Sequence, residues 1–154
     1  MTNGDDYMKE AEKMVGFVIA THGKLASGFL DAVKLIIGEQ ENIGEIGLFE
    51  GNDVSEFGLK LEKLIRKEDD GDGVIVFTDL FAASPYNQAA LCANRIKDVK
   101  IQLITGVNLP MIIEAINARM MGQDIEQITD AAFETAKVGI KNFWDELKSR
   151  NPQS

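Results

Sequence analysis

Four short apolar runs recur along the chain, each followed by residues with helical apolar spacing. This alternation constrains the fold more than any other feature. The runs are Met14-Val-Gly-Phe-Val-Ile-Ala20, Ile43 to Phe49, Val74-Ile-Val-Phe77 and Val99 to Thr105. They are too short for core helices; the first and third read as buried strands, the second as a weaker strand and the fourth as a further strand. Between them, Leu25, Phe29, Ala32, Val33, Ile36 and Ile37 make a helical stripe that Gly38 closes. Asp53 and Glu56 have capping-box spacing ahead of a second stripe, Val54, Phe57, Leu61, Leu64 and Ile65. Asp69 to Gly73 is a turn. Ser84 stands as N-cap before Pro85, which opens a third helix. Pro110 opens a fourth, and Gly122 ends it. Asp124 and Gln127 again have capping-box spacing, and one last amphipathic helix is expected from there to about Lys148.

Strands alternating with helices imply an α/β fold, a doubly wound parallel sheet covered on both faces. A flavodoxin-like strand order 2-1-3-4 follows from short crossovers of one hand. Such sheets bind ligands beyond the carboxyl ends of their strands, where the order reverses. Here that point lies between strands one and three.

The chain has 154 residues, enough for one domain with one core. Its net charge of −9, with no basic stripe, argues against a nucleic-acid binder. The single Cys92 cannot form an intramolecular disulfide, which favours a reducing, cytoplasmic setting. No apolar run approaches the ~20 residues that span a bilayer. Residues 1–13 are polar and acidic with no signal-peptide core, and are expected to be a disordered extension. The domain is expected over residues 14–148, with a flexible tail at 149–154.

Strand one ends in Thr21-His22-Gly23, and strand three in Thr78-Asp79, followed by Leu80-Phe-Ala-Ala-Ser84-Pro85. The only histidine and a carboxylate therefore emerge together at the switch point. A carboxylate that accepts one imidazole N–H fixes the tautomer and aims the other lone pair outward. That makes a nucleophile able to accept a phosphoryl group near neutral pH. Ser84 and the first amides of its helix would face the same crevice and suit phosphate oxygens. Each residue also has a plain structural reading. His22 is equally a satisfied structural histidine, Asp79 equally a turn cap, and Ser84-Pro85 an ordinary helix start. The Asp69–Asp72 cluster lacks calcium-loop spacing, and neither zinc, P-loop nor dinucleotide spacing is present, so no metal or cofactor is expected. Met111, Met120 and Met121 read as core or interface fillers.

Several segments together resemble the mannose-family EIIA proteins of the bacterial sugar phosphotransferase system (PTS). They are Val18-Ile-Ala-Thr-His22-Gly23, Gly38-Glu-Gln-Glu-Asn42, Asp79-Leu-Phe-Ala-Ala-Ser84-Pro-Tyr-Asn87 and Gly106-Val-Asn-Leu-Pro-Met111, in order and spacing over roughly residues 14 to 148. The resemblance implies a phosphotransferase with a phosphohistidine intermediate. His22 would accept a phosphoryl group on its distal ring nitrogen from the phosphocarrier HPr and pass it to an EIIB domain, with Asp79 holding the other nitrogen. Thr21, Gly23 and Ser84 would face the phosphoryl group. It also implies a homodimer, and membrane EIIC and EIID subunits that choose the sugar. The chain stops soon after its last expected helix, so EIIB is expected on a separate chain.

Rival readings remain at this point. A hydrolase using Ser84, His22 and Asp79 lacks the Gly-x-Ser-x-Gly elbow. A receiver phosphorylated on Asp79 would need an acidic pocket after strand one, where this chain has Thr21 and His22. A phosphodonor or regulatory role for the same domain is a further alternative.

Overall fold

The computed structural model describes residues 13–151 and 153. The elements run β1 (Gly16–His22), α1 (Leu25–Ile37), β2 (Ile43–Leu48), α2 (Val54–Glu68), β3 (Val74–Thr78) and α3 (Ser84–Arg95). They continue as β4 (Ile101–Ile104), α4 (Leu109–Met120), α5 (Ile125–Val138) and α6 (Phe143–Arg150). The strands form one parallel sheet in the order β2-β1-β3-β4, the order expected from the sequence.

Alternate side chains of the strands feed two cores. Phe17, Ile19, Ile75 and Phe77 face α1, α4 and α5. Val18, Ala20, Val74 and Val76 face α2 and α3. Burial on both faces explains why β1 and β3 read as unbroken apolar runs, whereas the edge strands β2 and β4 are largely half-buried and carry Glu45 and Gln102. Phe17 and Phe77 meet edge to face, with ring centroids 5.8 Å apart. Each such fully buried side chain stabilises the fold by about 1.5–3 kcal/mol.

Three details differ from the sequence reading. The buried face of α1 is Ala26 and Val33, with Phe29, Leu30 and Ile37 half-covered, while Leu25 and Ile36 are exposed. The Thr21 hydroxyl accepts the Ala26 N–H at 2.8 Å, which sets the rotation of the first turn. Second, α3 begins at Ser84 itself, and its N-cap is Ala83.

Third, the single helix expected after Asp124 is two helices. The capping box of Asp124 and Gln127 is present and starts α5. Gly139 ends it, packed so closely on Pro110 that a Cβ there would lie 2.7 Å from the ring. The Asn108 side chain donates to the Ala136 carbonyl and fastens that end to the start of α4. Asn142 then accepts the Trp144 and Asp145 N–H groups and starts α6. The helix takes in Ser149 and Arg150, which the sequence reading had placed in a tail. The expected extension at 1–13 lies, apart from Lys13, outside the described residues. Met111 is core, whereas Met120 and Met121 are exposed.

At the amino-terminal end of the sheet, Arg119 of α4 ties several loops together. Its guanidinium donates to the carbonyls of Val15 (3.0 Å), Asn42 (3.2 Å) and Glu41 (2.8 Å) and lies 4.4 Å from the centre of the Phe17 ring. Asn42 in turn donates to the Glu68 carbonyl and to Asp70.

Candidate functional site

The site lies at the other end of the sheet. Ala20 pairs with Thr78, so the next residues of β1 and β3 leave the sheet side by side. Gly23, with φ at +53°, turns the chain away from β1 and donates its N–H to the Leu48 carbonyl. Gly47 allows this, because a Cβ there would lie 2.1 Å from the Gly23 carbonyl oxygen.

His22 and Asp79 meet directly. The ring Nδ1 lies 2.8 Å from Asp79 Oδ2, and the same oxygen accepts the His22 backbone N–H at 2.9 Å. Asp79 Oδ1 accepts the Leu80 N–H at 3.0 Å. Burial alone would push the Asp79 carboxyl up, but the hydrogen bonds from the His22 backbone and ring outweigh it and hold the carboxyl below its usual range. An ionised carboxylate only accepts, so Nδ1 carries the ring proton and Nε2 keeps its lone pair. The His22 side chain is 48% exposed and that of Asp79 13%. The free nitrogen thus sits on a ring open to solvent, behind which the carboxylate is sheltered.

The other expected site residues divide. Ser84 is half-buried and opens α3, whose first turn has no side-chain cap. By contrast, α2, α4, α5 and α6 are capped by Asp53, Asn108, Asp124 and Asn142. The uncapped start leaves amides of α3 available to an anion. The hydroxyl of Thr21 does not face the crevice. It is buried between the Ala26 N–H and the His22 carbonyl. The Gly23 N–H is likewise engaged, by Leu48. These two residues shape the turn that carries His22 rather than offering donors to a ligand. Asn108, in the Gly106-to-Met111 segment, caps α4 by accepting the Met111 N–H.

Sequence reading missed the apolar rim of the site. Leu80 and Phe81 are exposed, and the Phe81 ring packs 5.0 Å from that of Tyr86. Ala82 beside them has φ at +63°, a left-handed conformation that costs a non-glycine residue roughly 1–2 kcal/mol. Leu25 and Phe49 are also exposed. The available signal was two large apolar residues in a strand-to-helix loop, where turn chemistry favours polar ones. Thr78 and Thr105, at the ends of β3 and β4, have buried hydroxyls without a hydrogen-bond partner. Among the described residues, no cluster of three or more His, Cys, Asp or Glu side chains could hold a metal ion. No described helix is long and apolar enough to cross a membrane.

A parallel sheet of order 2-1-3-4 with a histidine–carboxylate pair at its switch point defines the class of domain. The particular family follows from comparison with known proteins. The profile of the family EIIA-man, described as PTS system fructose IIA component, matches residues 16–133. The PTS system mannose-specific EIIAB component of Escherichia coli strain K12 is 31% identical over 127 residues, covering 82% of this chain and 39% of that protein. The PTS system sorbose-specific EIIA component of Klebsiella pneumoniae is 34% identical over 104 residues, covering 68% of this chain and 74% of its own length. Among solved structures, the phosphotransferase system component EIIA from Streptococcus agalactiae superposes with a TM-score of 0.79 at 27% identity, over 86% of this chain and 99% of that one. The chain belongs to the EIIA family of the sugar phosphotransferase system. It spans well under half the length of the E. coli mannose-specific relative.

Proposed function

We propose that this domain relays a phosphoryl group through His22. The observation that carries the reading is the 2.8 Å contact between Nδ1 and Asp79, which leaves Nε2 as an aimed, solvent-facing nucleophile. In the forward step the Nε2 lone pair attacks phosphorus on phospho-HPr. The N–P bond forms as the donor's bond to phosphorus breaks, and the donor keeps that electron pair. The ring gains positive charge, which the Asp79 carboxylate balances. The phosphoryl oxygens meet the uncapped amides of α3, near Ser84, which favour the charge spread over the group in flight. The reverse geometry hands the group to EIIB.

A histidine on an open surface, rimmed by Leu80, Phe81, Leu25 and Phe49, suits a macromolecular donor better than a small molecule held in a cavity. Donor and acceptor need the same nitrogen, so they bind in turn. The family resemblance supports the rest of the reading: a cytoplasmic homodimer, an EIIB acceptor, and membrane EIIC and EIID subunits that select the sugar. Residues 14–148 are proposed to suffice for transfer, so a chain shortened to begin at Met14 should transfer at the full rate.

The test is mass spectrometry after incubation with phosphoenolpyruvate, enzyme I and HPr. One acid-labile, base-stable phosphoryl group on His22 is the expected product. A base-labile group on Asp79, or no modification, would overturn the proposal.

A further inference from the structure

We propose that Asn87 is a positioning residue for phosphoryl transfer: it holds the loop before α3 in a strained form that presents the first amides of that helix to the phosphoryl group. The inference rests on the relay reading above and adds a residue to it.

Five residues, 79–83, join β3 to α3. Within them the Ala83 N–H donates to the Leu80 carbonyl and closes a β-turn. The third residue of that turn is Ala82, with φ at +63°. Turns of this form take glycine or asparagine there, because a Cβ is disfavoured in the left-handed region. The turn bond, at 3.3 Å, is long and a weak restraint. An alanine held by it alone would relax to negative φ. That rotation would swing the peptides on either side, and Ala83 and Ser84 with them.

Asn87 supplies the missing restraint. Its side-chain Nδ2 donates to the Ala82 carbonyl at 3.0 Å. Among the described residues, no other side chain bonds the backbone of residues 81–83. The bond runs from the first full turn of α3 back to the strained residue, so it ties the Ala82–Ala83 peptide to the helix. Residue type points the same way. Position 87 is exposed within α3, where alanine, lysine or glutamate would favour the helix more than asparagine does. A short amide there is explained by the bond it makes outside the helix.

The tie acts on the donors of the site. Pro85 has no N–H, and the Asn87 N–H goes to the Ala83 carbonyl at 2.9 Å. Among the described residues, the Ser84 and Tyr86 N–H groups are therefore the unpaired donors of this first turn. Their direction follows from Ala83, the N-cap, and hence from Ala82 before it. Donors fixed in advance stabilise developing charge without reorganising during the reaction. Asn87 fixes them without touching the phosphoryl group.

The test uses the full chain with phospho-HPr as donor. Asn87→Ala should lower the single-turnover rate at saturating donor about fivefold to tenfold, the weight of one hydrogen bond, and leave KM within about twofold. Its melting temperature should not fall, because the site is exposed and alanine favours the helix. In the unphosphorylated protein the NMR amide signals of Ala83 and Ser84 should move. Adding Ala82→Gly should recover most of the lost rate and bring those signals back, since glycine takes positive φ without a tie. Transfer by Asn87→Ala at the wild-type rate overturns the proposal and leaves the relay standing. A raised KM with kcat kept would make Asn87 a contact of the donor protein. A double variant as slow as Asn87→Ala would make Asn87 a ligand of the phosphoryl group. Either result overturns the positioning role. A wild-type chain that accepts nothing from phospho-HPr removes the relay and this role with it.

Discussion

The two ends of the sheet are built on opposite terms. At the amino-terminal end Arg119 closes three loop carbonyls and covers the Phe17 ring, while Asn42 joins the end of α2 and the turn after it. At the carboxyl end His22 keeps one nitrogen free, α3 starts without a side-chain cap, Ala82 is strained, and Leu80 and Phe81 face solvent. Polar groups at one end are bonded to each other, and at the other a half-exposed ring and an uncapped helix start face outward. The carboxylates follow suit. Glu68 is buried and its carboxyl pushed up by that burial, while Asp79 is held down by His22 despite its burial. One end ties the fold together and the other carries the proposed transfer site, so substitutions should separate stability from transfer.

The largest effect should come from His22→Ala. Transfer from phospho-HPr should fall below detection, while the melting temperature stays within a degree or two, because the ring is half in solvent. Labelling of this variant at the wild-type level would place the chemistry elsewhere. Next is Arg119→Ala at the opposite end. It strips three carbonyls of their donor and one ring of its cation, and should cost about 3 kcal/mol in urea unfolding. Its transfer rate per folded molecule should be unchanged. A transfer defect in folded Arg119→Ala would erase the division between the ends.

Asp79→Asn should slow single-turnover transfer roughly ten- to a hundredfold, since a charge-assisted pair of this kind contributes about 1–3 kcal/mol and each 1.36 kcal/mol is tenfold in rate. The amide can still accept the ring N–H but cannot balance the charge that forms. An unchanged rate would reduce Asp79 to a turn residue. Phe81→Ala should have a smaller effect, about tenfold in kcat/KM, with kcat nearly constant at saturating donor. That split identifies a docking contact, whereas a fall in kcat alone would make the ring part of the chemistry.

The sequence announced the two ends unequally. Strand order and the meeting of His22 with Asp79 were legible, because the two central strands are continuous apolar runs, strands alternate with helices, and the switch point follows from their order. The Arg119 clamp was not. Its partners are backbone carbonyls of Val15, Glu41 and Asn42, which leave no trace in residue type. The split between α5 and α6 was hidden because its cause is contact between Gly139 and Pro110, distant in sequence, and because Asn142 looked like one polar residue among many on a helix surface. Thr21 was placed in the crevice because its neighbour is His22. Alternation along β1 and the bond to Ala26 put its hydroxyl under α1 instead. Burial partners decide such cases, and a linear pattern cannot supply them.

The smallest effect is also the most direct test of the contrast, since it compares one carboxylate from each end. Asp79 has a folded value below its unfolded one of about 3.9. Folding therefore favours its ionised form. Its stabilisation is fully present above the usual carboxylate range and is lost as pH falls through the folded value. Glu68 has a folded value above its unfolded one of about 4.3, because burial disfavours its charge. Folding favours its protonated form, so its cost is absent in acid and grows as pH rises through the folded value. Urea midpoints between pH 3 and pH 7 should show this as opposite trends. Asp79→Asn should lose ground against wild type as pH rises, and Glu68→Gln should gain it. Each variant also alters hydrogen bonds, but those changes offset a whole curve rather than tilt it. If both curves tilt the same way, the two carboxylates share one environment and the ends of the sheet do not differ as described.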